Sequence, residues 1–564
     1  MKFAPLLWTL GCALVAGSRL SPVPAMANPA LAGYANYETL TARIQKLGES
    51  PLATVRSLAV TAGGRQVWLI TLGQGEVDRK PAILLTGGVH APHLLGSDLA
   101  LAIAEKIVAD AAESEKVAAF LQSHTLYVIP RPSPDAVEKN FQPPYFEQTG
   151  NARLSDDDRD FESGEDPPND LNGDGWITMM RVKDPAGDYM PHPDDDRVLI
   201  KVNRQANERG SYRLYVEGVD DDGDGQWNED PGDGVDFNRN FPFEYPYFKK
   251  GAGANAISEV ESKAVADFAF DHLNIVVLFT FTPEENLQHP WKPHPPSEKE
   301  RIKTKLLSDD APYVDFIASR YRKLFKADGA PEPPPGAGSF SEWGYFQYGR
   351  WSLAARGWSP AVVKPAGEEK ESSEKRGAAD LQRLRWLEQQ KIDGFVDWKP
   401  INHPDFTDAQ DVVEVGGFKP FYDLNPPADQ VDALATTHAR FLVELAGTFP
   451  QVVIQRVQVD ALGGGLHRIK AEFLNQGYLP TMSEMGRITG HAPPAIVEID
   501  LPAGTTWLQG HRRTQLSVIA GGNAQQKEEW LVRLPADAPA AAVLKLRCGS
   551  FADSQTDLKF SPAP

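Results

Sequence analysis

Three uninterrupted apolar runs punctuate the first half of the chain. They are KPAILLTGG at 80–88, TLYVIP at 125–130 and NIVVLFTF at 274–281. Runs of this length, bounded by glycine, proline or polar residues, predict strands buried on both faces. Between the first two lies SDLALAIAEKIVADAA, in which Leu99, Ile103 and Ile107 recur every fourth residue. That period predicts a helix, with Ser97 as its cap. A second helical pattern, SEVESKAVADFAFDH, precedes the third run. Strand, helix and strand at these spacings predict an α/β body with a parallel or mixed sheet covered by helices. Near residue 450 the pattern changes. LHRIKAEFLNQG and VLKLRC alternate apolar and polar positions, and turn residues recur at short intervals. Residues 451–564 therefore read as a small all-β sandwich without a comparable helical segment.

A chain of 564 residues is long enough for two domains. With 41% hydrophobic and 24% charged residues the balance is that of a globular protein, and no stretch after the first 30 residues would span a bilayer. The first 27 residues differ. Lys2, the apolar LLWTLGCALVAG and the small residues Ala25 and Ala27 before Asn28 have the form of a secretory signal, which implies an exported protein, periplasmic or extracellular. A disordered apolar tail is the alternative. Cys12 leaves with that segment, so Cys548 has no internal partner for a disulfide. An exported chain without staples relies on its core or on bound ions. The net charge of −20 argues against nucleic acid and anionic lipid as partners. Much of the acid lies between residues 155 and 236, which suggests an insert that binds cations, whereas PAGEEKESSEKRGAAD at 365–380 reads as an exposed insertion.

Three stretches carry candidate chemistry. HAPH places His90 and His93 directly after a strand; MMRV holds Arg181; GVDFNRNFPF holds Asn238, Arg239 and Asn240. Two histidines three apart are weak evidence alone, since buried or turn histidines are commoner than ligands. Adjacent Asn and Arg at a strand end can form a planar donor clamp for a carboxylate. Taken together and in this order, the stretches resemble the zinc carboxypeptidase family, the carboxypeptidase A-like metallopeptidases. VIPRPSPDAVE at 128–138 and GSFSEWGYFQYG at 338–349 extend the resemblance, which covers roughly residues 35–450. It implies a carboxypeptidase-like domain over 28–450, zinc as cofactor, and the C-terminus of a peptide or peptidoglycan stem as partner.

Residue by residue, the resemblance gives His90 as the first zinc ligand, His93 in place of the second, Arg181 as the oxyanion arginine, and Asn238 and Arg239 as the carboxylate clamp. The third ligand should be a histidine, but its register falls on Phe281, and the general base falls on Arg356. A phenyl ring offers zinc no lone pair, and a guanidinium stays protonated. A cation ~5 Å from a divalent ion at an effective dielectric of about 20 would cost roughly 6–7 kcal/mol. That is a large share of a structural zinc affinity of about 10–16 kcal/mol. The pattern thus favours a protein that recognises carboxylates and has lost hydrolysis. The alternative is an active zinc carboxypeptidase with a non-standard ligand set, drawing on Glu284, Glu285 or His289, which otherwise form an exposed loop.

A second ion is suggested within the acidic insert. NDLNGDGWIT places Asp170, Asn172 and Asp174 at alternate positions before Gly175. VDDDGDGQWNED places Asp220, Asp222 and Asp224 before Gly225, with Glu229 and Asp230 beyond. Oxygens at positions 1, 3 and 5 with glycine at 6 form the first half of a calcium loop. Structural calcium is the expectation, and an ion-free acidic turn is the alternative.

Overall fold

The computed structural model describes residues 28–153, 167–221, 225, 227–228, 234–326, 330–361, 376–407, 412–536 and 541–560. The signal-like segment, most of the 365–380 insertion, and Asp222, Asp224, Glu229 and Asp230 lie outside the described residues. Six strands build the central sheet: β1 (Ala53–Val60), β2 (Gln66–Leu72), β3 (Ala82–Thr86), β4 (Thr125–Ile129), β5 (Ile275–Phe281) and β6 (Trp351–Ala355). Their order is β1-β2-β4-β3-β5-β6. β4, β3, β5 and β6 run parallel, while β2 is antiparallel to both its neighbours, so the sheet is mixed. The three apolar runs form β3, β4 and β5, and every residue of these strands is buried, as strands covered on both faces require.

Helices α1 (Leu94–Asp110), α2 (Val260–Asp271), α3 (Ala311–Leu324) and α4 (Val431–Ala446) cover this sheet, with α1 packed on α4. The start of α1 corrects the expected cap. Ser97 lies within the helix, and His93 holds the N-cap position without a capping bond from its side chain. A distant residue fills that role: Asn425 Oδ1 accepts the Leu95 N–H at 2.9 Å, while its Nδ2 donates to Pro92 O at 2.9 Å. The free amides of a first turn need an acceptor, and a tertiary one serves as well as a local one. The Ser97 hydroxyl instead accepts from the buried Arg131 Nε at 2.9 Å.

A second six-stranded sheet, absent from the sequence reading, grows out of the acidic insert. Its order is Phe395–Ile401, Val413–Phe418, Met179–Lys183, Tyr212–Val216, Tyr189–His192 and Asp195–Lys201, all antiparallel. These strands are short and half-buried, so their apolar signal is weak. Beyond residue 450, two four-stranded sheets share one buried cluster that includes Phe473 and Trp530 from one and Val497 and Leu544 from the other. The region also contains a short helix, Glu484–Thr489, which the pattern did not predict. Its first amides rest on the preceding body: Asp310 accepts from Glu484 N at 2.7 Å, from Met485 N at 3.1 Å and from Tyr345 OH at 2.8 Å. Among the described residues, no helix is long and apolar enough to cross a membrane.

Glu217 ties the second sheet to the neighbouring acidic loop. It is fully buried and accepts from Leu171 N at 3.0 Å, Thr178 N at 2.8 Å and Thr178 Oγ1 at 2.9 Å. Burial outweighs these donors and pushes its carboxyl up to about 7. A carboxyl that holds its proton longer in the folded state than in the unfolded one gives stability that is complete below about pH 4.5 and declines as pH rises through about 7. In chelator-containing buffer, urea unfolding should therefore show the wild type losing roughly 2–3 kcal/mol relative to Glu217→Gln between pH 4.5 and 8. Parallel pH profiles for the two proteins would contradict this.

Candidate functional site

The site begins where β3 ends. Gly87 allows the strand exit to lie against the first turn of α1, since a Cβ there would stand 2.0 Å from the Gly96 carbonyl oxygen. Gly96 is equally constrained: a Cβ would meet Phe281 Cβ at 2.9 Å and His93 Nδ1 at 3.0 Å. Only glycine fits both places. The same contacts place the His93 ring and Phe281 around one point. β6 pairs with β5 so that Ala355 faces Phe281, and Arg356 therefore leaves the sheet beside it. The expected register of His93, Phe281 and Arg356 meets at a single strand-end cluster.

His93 is fully buried, and neither ring nitrogen has a hydrogen-bond partner. Main-chain groups of Arg356 and Phe281 act on the ring and work against the fall of its pKa. Burial, then the Arg356 charge, then His90, lowers His93 to about 3, so the ring is neutral. Two orphan nitrogens on a neutral imidazole suit a metal ion, and His90 is half-buried nearby. The remainder of the donor set does not suit one. Phe281 turns its ring into the core, edge-on to His438 at 5.0 Å and Phe279 at 5.4 Å. Arg356 donates through Nη2 to Asp423 O at 2.9 Å. Burial draws its guanidinium down, while the charges of Asp423, Glu147, Glu285 and Glu284 oppose that shift. Among the described residues, no group of three or more His, Cys, Asp or Glu is placed to hold a metal ion. The residues present are one ligand and one base short of a zinc hydrolase site.

The residues that could restore the set are turned elsewhere. Glu285 is buried and accepts from the amides of Leu287 at 2.9 Å, Gln288 at 2.6 Å and His289 at 3.1 Å, and its carboxylate lies 2.6 Å from His289 Nδ1. Glu284 accepts from Asn238 Nδ2 at 2.9 Å and from the Thr282 hydroxyl.

Asn238 and Arg239 sit on a single helical turn, Phe237–Arg239, which Asp236 caps through the Asn238 N–H at 2.8 Å. Asn238 is buried and Arg239 half-buried. Burial raises Asp236 to about 6, with the His90 and Arg239 charges working against that rise. The clamp pair and the histidine loop thus share one electrostatic neighbourhood. Asn240 braces the turn from behind, donating to Ala252 O at 2.9 Å and Ser258 Oγ at 3.1 Å.

Arg181 is not part of this cluster. It belongs to the second sheet, where its Nε donates to Glu414 at 2.8 Å and its guanidinium lies over the rings of Tyr212 at 4.5 Å and Trp398 at 4.6 Å. Stacking and the ion pair hold it between strands of that sheet. In the first acidic loop the candidate ligands bond to one another and to nearby amides. Asp170 accepts from the amides of Gly173, Asp174 and Gly175, and Asn172 accepts from that of Asp174. Asp174 in turn accepts from the Trp176 amide and Asn172 Nδ2. These bonds close the loop on itself. In the second loop, Asp220 accepts from Gly225 N at 3.1 Å, and its other candidate ligands lie outside the described residues. Asn425, Gly87, Gly96 and Glu284 shape the site without having been singled out as its determinants. Only the two glycines, at a strand exit and a helix start, left a local signal.

The comparisons with known proteins agree with this geometry. The sequence profile of the zinc carboxypeptidase family matches residues 41–354, and that of a domain of unknown function (DUF8731) matches residues 451–557. A carboxypeptidase B of Astacus astacus is 28% identical over 110 residues, which are 19% of this chain and 35% of that protein. The chain thus spans about a third of the length of that curated relative. Among solved structures, thrombin activatable fibrinolysis inhibitor is similar over 73% of both chains, at 11% identity and a TM-score of 0.40. Carboxypeptidase A from Helicoverpa armigera is similar over 64% of this chain and 71% of its own, at 12% identity and a TM-score of 0.35. With a family match over more than half of its 564 residues, and the histidine loop, the Asn-Arg turn and the mixed sheet all in place, this chain belongs to the zinc carboxypeptidase family.

Proposed function

We propose that this protein is an exported member of the family that recognises the C-terminal carboxylate of a peptide, or of a peptidoglycan stem, and does not hydrolyse it. The observation that supports this reading most directly is the placing beside His93 of Phe281, whose strand partner is Ala355, and of Arg356, the next residue after that partner. Peptide hydrolysis on this fold needs a metal-bound water and a proton acceptor next to it. A phenyl ring cannot complete the metal's ligand set, and a guanidinium cannot take the proton. Recognition needs less. The Asn238 amide and the Arg239 guanidinium are donors on one turn, suited in type and spacing to the two oxygens of a carboxylate. With Arg181 held in the second sheet, that task falls to Asn238 and Arg239 alone.

Two measurements test the reading. Elemental analysis of the purified protein should find well under one zinc per chain; one equivalent, together with release of C-terminal amino acids that a chelator stops, would establish the active-enzyme alternative. A short labelled alanine peptide with a free C-terminus should bind better than its C-terminal amide, with or without added zinc. Arg239→Glu should remove that preference and weaken acid binding by about 10- to 100-fold, the value of a charge-assisted hydrogen bond of roughly 1.5–3 kcal/mol. Equal binding of acid and amide by the wild type would refute carboxylate recognition.

A further inference from the structure

The carboxylate clamp already holds a carboxylate. Asn238 Oδ1 accepts the Phe340 N–H at 3.1 Å, which fixes the side-chain amide in one orientation. Its Nδ2 must then face outward, and there it donates to Glu284 Oε2 at 2.9 Å. The Thr282 hydroxyl donates to the same oxygen. Glu284 lies three residues past the end of β5 and is half-buried, so its carboxylate belongs to the edge of the site and not to its core. Its charge is felt across the cluster. It raises Asp236 and Glu342, and it counters the effect of burial on Arg356.

We propose that Glu284 is the resident occupant of the clamp and determines which ligands the clamp accepts. This inference rests on carboxylate recognition by Asn238 and Arg239. A terminal carboxylate reaching the Asn238 amide meets a second carboxylate on the same donor. Two like charges within hydrogen-bonding distance of one amide exclude each other. The ligand therefore binds by displacing Glu284, and the affinity for free C-termini is reduced by the stability of the internal contact. A ligand without that charge has no such competition. Glu284 is thus a specificity-determining residue acting through Asn238, and the clamp is strongest for a terminal carboxylate only when Glu284 is neutral or removed.

The test uses the full-length protein and the same labelled alanine peptide, as free acid and as amide. Glu284→Gln keeps the size of the side chain and an oxygen to accept from Asn238 and Thr282, but removes the charge; Glu284→Ala removes the contact. Both should bind the acid about 10-fold or more tightly than the wild type, with amide binding unchanged and the melting temperature of Glu284→Gln preserved. A purely structural role would shift acid and amide together. If the wild type prefers acid over amide and neither variant binds the acid more tightly, the internal-occupant proposal is overturned while carboxylate recognition stands. If none of the three proteins distinguishes acid from amide, both readings fall together. A wild type that binds neither peptide, beside a Glu284→Gln variant that binds the acid, supports the occupant in its strongest form.

Discussion

The contact between Gly87 and the first turn of α1 governs the geometry of this protein. The strand exit touches the helix at backbone distance, and any side chain at Gly87 or Gly96 would force the two apart. Close packing of this kind leaves no slack, because interiors are as dense as molecular crystals. It fixes the histidine loop against the ends of β5 and β6. Every feature of the site follows: His93 under the first turn, Phe281 against Gly96, and Arg356 one residue beyond the strand it extends. Asn425 completes the arrangement by binding both sides of the loop, on Pro92 and on Leu95.

Within this frame the cluster balances its own charge. Arg356 is surrounded by Asp423, Glu147, Glu285 and Glu284; Asp236 lies between His90 and Arg239. A site built to hold a divalent cation would be expected to leave acidic or neutral donors converging on an open centre. In this cluster the Arg356 guanidinium is a positive charge that is part of the chain, and the charges of nearby carboxylates favour it.

The central sheet was legible because its strands are buried on both faces, and such strands appear in sequence as unbroken apolar runs. The strand that ends at Phe281 was legible for the same reason, although its pairing with β3 shifts register between Ala82 and Ile83; Arg356 lies one residue past the end of β6. The second sheet was not legible. Its strands are short and only half-buried, and the acidic turns between them mask their alternation. The surroundings of Arg181 were not legible because its motif is local, whereas its partners Glu414, Tyr212 and Trp398 come from other strands. Asn425 left no local signal, and Glu284 was legible only as an alternative metal donor, since the importance of each lies in which distant group it meets.

The three bonds that converge on Asp310 have a wider consequence. A buried carboxylate of the carboxypeptidase-like body holds the start of a helix that belongs to the C-terminal sheets, and Tyr345, next to the segment that leads into β6, shares the same oxygen atoms. Tyr478 of the C-terminal region also stacks on Phe316 of α3, 3.8 Å between ring centres. The two bodies should therefore tumble as one rigid particle and not as beads on a tether. Any surface gripped by the outer sheets would be presented to the strand-end cluster at a set distance and angle, in the manner of a ruler.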